Sequence, residues 1–191
     1  MHRLMTGLAK ALAIAGGLVL VALIALTCLS VIGRLLNGVG HADFVKANLA
    51  FLAPLFQAFG PINGDYELVE AGIALAIFLF LPWCQLNRGH ATVELFTSKL
   101  PLAANRGLAL FWELVFAAAL ALITWRLIVG MGDKMRYGET TFLLQMPVWW
   151  AFAACSIAAV LASIVAVYCV YLRGRESFAN QPMASDAGGG E

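Results

Sequence analysis

Charged side chains beside long apolar segments are the residues of this sequence best suited to chemistry. Glu67 and Glu70 open the second such segment three residues apart, so a helix places both carboxylates on one face. Arg34 follows the first segment, and Arg126 lies near the end of the third. We expect these four side chains to meet at one level as an ion-paired cluster. A substrate or ion site built from the same residues is the alternative.

Glu113 lies one to two turns inside the third apolar segment. Arg126 follows thirteen residues later, about 20 Å away along a helix axis, so the two cannot pair. Glu113 must therefore find another partner, reach the lipid headgroups or face a second protein. A proton-coupled multidrug exchanger would use a carboxylate in the middle of a span, whereas Glu113 is close to one end.

Several kinds of chemistry are excluded by the placement of the cysteines and histidines. The cysteines lie within or at the ends of apolar segments and form no Cys-x-x-Cys pair, which argues against a disulfide-forming oxidoreductase: Cys28, Cys84, Cys155 and Cys169. The histidines lie outside the apolar cores, which argues against a four-helix b-type cytochrome: His2, His41 and His90. Nucleotide-binding loops and the common hydrolase motifs are also missing from the sequence. We therefore predict no enzyme, and no catalytic, cofactor-binding or metal-binding residues.

The composition indicates a membrane protein. Of the 191 residues, 62% are hydrophobic and 12% are charged, against about 45–50% and about 25% in soluble domains. Four continuous apolar runs each have the roughly 20 residues that cross a bilayer as a helix, and they do not alternate as barrel strands do. The runs cover about residues 11–32, 66–85, 108–131 and 148–172. The first is longer than the apolar core of a secretory signal, so we expect it to be retained.

The predicted fold is an all-α membrane protein with four transmembrane helices and short amphipathic interfacial helices in the first two connections. Residues 1–173 form the membrane domain, and the Gly-rich segment 174–191 is expected to be a disordered cytoplasmic tail. The first interfacial helix falls within residues 41–60, where apolar and polar side chains separate onto two faces. A loop packed on the helix ends and a docking surface for a partner are the alternatives. The second interfacial helix covers residues 91–100 and stops at Pro101.

The corner between the second span and its interfacial helix holds Arg88, Gly89, His90 and Glu94. Gly89 provides backbone freedom for a tight turn. The three polar side chains can bond the open helix ends and each other, which would fix the angle of the interfacial helix. A proton relay through the imidazole of His90 is the alternative.

The flanking charges predict the orientation. Seven Lys and Arg residues lie on the side of the two termini and the second connection, and five lie on the other side. The positive-inside rule therefore predicts that both termini are cytoplasmic. Trp149 and Trp150, at the start of the fourth span, are typical of an interfacial aromatic belt. The net charge of +1 does not suggest a nucleic-acid partner.

Four segments together resemble a known family. They are Val31–Asn37 (VIGRLLN), Gly64–Glu70 (GDYELVE), Leu81–Pro101 (LPWCQLNRGHATVELFTSKLP) and Pro147–Trp150 (PVWW). In this order they are similar to the small membrane subunit of tripartite ATP-independent periplasmic (TRAP) transporters, the DctQ-like family. The charges within and beside the spans and the residues of these segments together give the candidates for structural or subunit-interface roles: Arg34, Asn37, Glu67, Glu70, Arg88, Gly89, His90, Glu94, Glu113, Arg126, Trp149 and Trp150.

The resemblance implies a role without a substrate site in this chain. Members of the family pair with a large membrane subunit that carries the substrate and sodium sites, while a periplasmic binding protein delivers an organic acid. The small subunit is expected to be a multi-pass scaffold in the bacterial inner membrane, in contact with lipid, without a cofactor. Two other hypotheses are open: an independent four-helix, proton-coupled transporter that works as a dimer through Glu113, and an accessory protein of a different complex.

Overall fold

Four long helices make up nearly all of the chain that the computed structural model describes, which comprises residues 2–41, 62–87 and 102–178. The helices are α1 (His2–His41), α2 (Asp65–Leu86), α3 (Leu102–Tyr137) and α4 (Trp149–Phe178). Each is long and apolar enough to cross a membrane. The prediction of an all-α membrane protein with four spanning helices is confirmed.

The helix ends differ from the predicted spans in three of the four cases. α2 agrees with its apolar run to within one residue at each end, whereas α1 and α3 continue well past theirs at both ends. α4 continues to Phe178, so the first residues assigned to a tail are helical. The apolar run measures the stretch that lipid must cover, whereas backbone hydrogen bonding continues into the polar flanks until a breaker intervenes. The two predicted interfacial helices and residues 179–191 lie outside the described residues.

The helices pack as a row in the order α1, α2, α4, α3, with extensive contact between neighbours. α1 and α2 are antiparallel and approach closely at two glycines. Gly16 lies against Leu79 and Phe80, and a Cβ added to Gly72 would lie only 2.8 Å from Leu23 Cδ1. Small residues of this kind let membrane helices come together, because apolar side chains gain little by leaving lipid.

α4 is the most buried of the four helices. Of its most apolar window 44% is buried, against 6% for α1. Its inward face is built mainly from small side chains that are almost completely covered: Ala158, Ala159, Ala162, Val165 and Ala166. Leu120 of α3 packs with Ala162 and Ala166, and Phe78 and Leu81 of α2 close the same core. The core therefore lies between α2, α3 and α4, while much of α1 remains exposed.

A hydrogen-bonded group joins α3 to α4 near the middle of both helices. Thr124 Oγ1 lies 2.8 Å from Leu120 O and 3.3 Å from Ala159 O. It also lies 2.9 Å from Ser163 Oγ. Interhelical hydrogen bonds within a membrane contribute about 0.6 kcal/mol on average. The polar atoms of this group thus satisfy each other and the backbone.

Candidate functional site

Two further groups of polar side chains join helices, one at each end of α2. We call the first the hairpin-side layer, comprising Ser30, Arg34, Asp65 and Glu67, because it adjoins the connection between α3 and α4. The second is the termini-side layer, comprising Gln85, Glu113 and Arg173. In each layer, hydrogen bonds and ion pairs connect side chains of different helices.

Asp65 is the centre of the hairpin-side layer. The first residue of α2 accepts a hydrogen bond from Ser30 Oγ at 2.5 Å and one from its neighbour's amide, Tyr66 N, at 2.8 Å. Arg34 Nη2 lies 3.8 Å from Asp65 Oδ2, with 66% of the arginine side chain exposed. A carboxylate is well placed at a helix N-terminus, where unpaired amides give a partial positive charge. The buried Ser30 hydroxyl and the exposed guanidinium together fix α1 to the start of α2.

Glu67 holds the hairpin between α3 and α4. Its two carboxylate oxygens accept hydrogen bonds from the amides of Leu143 at 2.7 Å and Leu144 at 3.1 Å. Beneath this contact Gly64 has a φ of 78°, and any side chain there would meet Leu144. Bonds to an ionised acceptor are stronger than neutral ones. Glu67 therefore ties the hairpin to the first turn of α2.

The hairpin itself is a compact turn. The amide of Thr141 donates to Met146 O at 2.8 Å, and that of Val148 donates to Glu139 O at 3.0 Å. Gly138 and Gln145 have φ values of 60° and 55°, which reverse the chain at its two ends. This geometry presents the amides of residues 143 and 144 side by side to one carboxylate, as Glu67 requires.

The ion-paired cluster that we expected from Arg34, Glu67, Glu70 and Arg126 is built differently. Arg34 pairs with Asp65, a residue outside the expected cluster, and Glu67 bonds to backbone amides. Glu70 is exposed on α2. The three-residue spacing places Glu70 near Glu67 on α2. Arg34 nevertheless lies beside Asp65, because α1 contacts α2 at that residue.

Arg126 lies deeper than the hairpin-side layer. On α3 it falls between Thr124, which contacts Ala159, and Gly130, which packs on Phe152. That level is more than a turn inside the start of α4. The guanidinium is exposed and lies 5.8 Å from the centre of the Trp125 ring. Its long side chain can reach the headgroups from this depth while its stem remains in the apolar region.

The termini-side layer supplies the partner that Glu113 requires. Glu113 Oε1 accepts a hydrogen bond from Gln85 Nε2 at 3.0 Å, and Glu113 Oε2 lies 3.5 Å from Arg173 Nε. The side chains of Glu113 and Arg173 are only 11% and 19% exposed. Three helices thus contribute one group each. In the sequence, Arg173 is one of the seven positive residues that flank the spans on the side of the termini, and its position alone assigns it no partner.

Because its charged groups are buried, the termini-side layer depends more on complete pairing than the hairpin-side layer does. Removing water from a carboxylate and a guanidinium is unfavourable, and their attraction compensates only when further hydrogen bonds complete the arrangement. The amide of Gln85, itself 5% exposed, provides such a bond. Removing one member of a buried pair typically destabilises a protein by about 3–5 kcal/mol. The layer can therefore hold α2, α3 and α4 in register.

The remaining candidate residues lie apart from the two layers. The backbone carbonyl of Asn37 contacts His41 Nδ1 at 2.9 Å near the end of α1. Trp149 and Trp150 begin α4 with their rings 6.1 Å apart in an edge-on arrangement. The corner residues of the second connection lie outside the described residues: Arg88, Gly89, His90 and Glu94. Within residues 2–41, 62–87 and 107–175, no group of three His, Cys, Asp or Glu side chains is placed to hold a metal ion.

The fold and the two layers define a multi-pass membrane component in which polar groups connect helices. Residues 23–175 match the family described as tripartite ATP-independent periplasmic transporters, DctQ component. The chain belongs to this family, as its sequence motifs predicted. It is the small membrane subunit of a tripartite transporter of the bacterial inner membrane, with a large membrane subunit and a binding protein as its partners. Neither the comparison with curated proteins nor that with solved structures gives a match.

Proposed function

We propose that this chain is a scaffold that stabilises the large subunit of a sodium-coupled, binding-protein-dependent transporter for an organic acid. The supporting observation is how Glu113, with a side chain only 11% exposed, is bonded. Its two oxygens are occupied by Gln85 and Arg173, from two different helices. A carboxylate bound in this way holds helices together and has little capacity left for a ligand.

The form of the helices supports the same role. Transport sites are commonly built where spanning helices are interrupted, because the broken ends expose backbone groups to the substrate. Each of the four helices runs without interruption through its stated range, including α2 across Pro82. Near mid-span, Thr124 bonds to Ser163 and to backbone carbonyls. A subunit of this design is suited to remain stationary while a neighbouring subunit moves.

The proposed orientation follows from the flanking charges. With seven positive flanking residues on one side and five on the other, we propose that both termini are cytoplasmic. The hairpin-side layer would then face the periplasm, where the binding protein delivers its substrate. The termini-side layer would lie near the cytoplasmic surface.

The competing function is an independent proton-coupled transporter that acts as a dimer through Glu113. The low exposure of this carboxylate, 11%, favours that hypothesis, because proton-coupling carboxylates are enclosed by protein. Its ion pair with Arg173 argues against it, since each proton transfer would have to break the pair. The scaffold accounts for both the enclosure and the pairing.

The decisive experiment compares the chain with its complex in proteoliposomes. The organic acid is chosen first, as the one that raises the melting temperature of the partner binding protein. We expect no uptake of this acid by the purified chain, and sodium-dependent uptake when the large subunit and the binding protein are added. A large subunit reconstituted without this chain is the matched control and should transport more slowly. Uptake by the chain alone, driven by a proton gradient, would contradict the scaffold.

A further inference from the structure

Arg126 is a charged residue on the outward face of α3, the helix at one edge of the row. The inward face of α3 is marked by Leu120 and Thr124, which pack on α4. Arg126 lies on the other side and is exposed, and the side chains of Leu122 and Val129 are 59% and 41% exposed. With 3.6 residues per turn, these three residues share one face. Arg126 therefore lies on the surface that the subunit presents to its surroundings.

The depth of Arg126 follows from the packing of α3 against α4. Gly130 lies against Phe152, three residues after the start of α4 at Trp149. The two helices are antiparallel, so Asp133 lies level with Trp149, and Arg126 lies about 10 Å deeper at 1.5 Å per residue. A charged side chain at such a depth in a membrane is unfavourable unless an opposite charge compensates it. Arg126 therefore requires an anion.

The described part of the chain does not supply this anion. The ion pairs within residues 2–41, 62–87 and 107–175 do not include Arg126: Arg34–Asp65, Lys134–Glu139 and Glu113–Arg173. The ring of Trp125, 5.8 Å from the guanidinium, offers a cation–π contact but no negative charge. A phospholipid headgroup contains a phosphate, which a guanidinium can bind through two parallel hydrogen bonds. The long arginine side chain can extend to such a group while its stem remains in the apolar region.

Asp133 adds a negative charge to the same face. It lies seven residues after Arg126, which is two turns of the helix, and it is exposed. Its neighbour Lys134 is bonded to Glu139. A headgroup that contacts both Arg126 and Asp133 must therefore carry a positive charge nearer to water than its phosphate. Phosphatidylethanolamine has this arrangement, because its ammonium group is joined to the phosphate on the side away from the acyl chains. Phosphatidylglycerol carries the phosphate without a positive charge.

Apolar residues continue this face toward the middle of the bilayer. Val115, Ala119 and Leu122 are exposed and precede Arg126 by eleven, seven and four residues, each close to a whole number of turns. From Val115 to Arg126 the track extends about 16 Å, which is about half of the ~30 Å hydrocarbon layer and so the depth of one leaflet. From the middle of the bilayer outward, the face presents an apolar track, a cation and an anion. This order complements one complete phospholipid.

We propose that this face of α3 is a binding site for a phospholipid with an ethanolamine headgroup, in the leaflet on the side of the hairpin-side layer. Arg126 binds the phosphate, and Asp133 binds the ammonium group, which can donate three hydrogen bonds. Phosphatidylcholine has no hydrogen to donate from its trimethylammonium group, and phosphatidylglycerol brings a negative charge near Asp133 without a cation. The site requires only that α3 spans the membrane, so it is independent of the scaffold function.

The test measures which lipid the purified subunit retains. The chain in detergent is incubated with equal amounts of phosphatidylethanolamine, phosphatidylglycerol and phosphatidylcholine of identical acyl chains, and the bound lipid is identified by native mass spectrometry. We expect the wild type to retain phosphatidylethanolamine several-fold more than the other two. Arg126→Gln should lower its retention about tenfold, because the charge-assisted bonds to the phosphate are lost. Arg126→Lys, which keeps the charge, should retain more than Arg126→Gln does.

Arg136→Gln is the matched control for Arg126→Gln. It removes an exposed arginine at the same end of α3, ten residues further on and about 80° around the helix. This variant should retain lipid as the wild type does. Circular dichroism and gel filtration should show that both variants are folded, as expected for exposed positions. An equal loss of lipid in the two variants would overturn the proposal, because overall charge would then account for the binding.

Asp133→Asn tests how the headgroup is recognised. The variant should retain less phosphatidylethanolamine and more phosphatidylglycerol than the wild type, so that the preference between the two lipids is lost. A preference unchanged by Asp133→Asn would show that the carboxylate does not contact the ammonium group. Equal retention of the three lipids by the wild type would likewise refute the site.

The complex with the large subunit distinguishes the lipid from a protein partner of Arg126. If a carboxylate of the large subunit pairs with Arg126, Arg126→Gln should reduce the amount of large subunit that co-purifies, and the isolated chain should show no lipid preference. That result would replace the lipid site by a subunit contact. Loss of phosphatidylethanolamine from the complex with the large subunit retained would support the lipid site. Neither result depends on whether the chain alone can transport, which tests the scaffold function separately.

Discussion

The two polar layers use the same kinds of side chain at very different degrees of exposure. In the hairpin-side layer the arginine of the Arg34–Asp65 pair is 66% exposed, and Glu67 bonds to backbone amides. In the termini-side layer both members of the Glu113–Arg173 pair are at most 19% exposed. Water can replace a lost partner of Arg34 in the first layer but hardly one of Arg173 in the second. We therefore expect the hairpin-side layer to shape a surface and the termini-side layer to decide whether the subunit assembles.

The largest effect is expected when Glu113 is replaced by alanine. Arg173 then keeps its charge in an enclosed position without its partner, which should destabilise the subunit by about 3–5 kcal/mol. The measurement is the yield of monodisperse subunit from membranes, together with its thermal denaturation. The variant Gln85→Leu, Glu113→Leu, Arg173→Met is the control, because it removes the charges together with the buried amide that bonds to Glu113, and apolar residues can replace a buried ion pair with little loss. A triple variant as unstable as the single one would contradict this account.

An intermediate and local effect is expected for Glu67→Gln. The glutamine can accept only one of the two hydrogen bonds from the amides of Leu143 and Leu144, and it lacks the charge that strengthens both. The hairpin should become several-fold more sensitive to protease added on its side of the membrane, with cleavage near Phe142. Glu70→Gln, on the same exposed end of α2, is the matched control and should leave the cleavage rate unchanged. Equal cleavage of both variants would show that Glu67 does not anchor the hairpin.

The smallest effect is expected for Arg34→Gln. Its guanidinium is mostly in water and 3.8 Å from Asp65, so high salt should weaken the interaction in the wild type as well. Thermal denaturation of the variant should remain close to that of the wild type and lose its dependence on ionic strength. Ser30→Ala should have a larger effect than Arg34→Gln, because the Ser30 hydroxyl is buried and 2.5 Å from the same carboxylate. The reverse order would mean that the exposed pair dominates the contact between α1 and α2.

The difference between the layers also explains what the sequence could predict. The four spans follow from hydrophobic length alone, and α2 is placed best because charged and polar residues bound it closely on both sides. The distance from Glu113 to Arg126 along one helix correctly ruled out that pair. Its actual partner, Arg173, is on another helix, and its position depends on how far α3 and α4 slide past each other. The apolar pattern does not encode that offset.

The hairpin-side layer was mispredicted for a related reason. Glu67 and Glu70 have the spacing of one helical face, but the pairing of Arg34 is decided by where α1 crosses α2. The close approach at Gly16 and Gly72 brings Ser30 and Arg34 to Asp65, the first residue of the helix. Spacing within one segment predicts neighbours on that segment, whereas contacts between segments depend on packing.

The order of the helices along the chain means that the termini-side layer is completed later in synthesis than the contact between α1 and α2. Asp65 and Ser30 belong to the first two helices and can meet as soon as both have entered the membrane. Glu113 enters with the third helix, but Arg173 is near the end of the fourth and leaves the ribosome last. Until then the nascent chain carries an unmatched carboxylate at the edge of the hydrocarbon. The fourth helix supplies the opposite charge, so this layer can be completed only when all four helices are in the membrane.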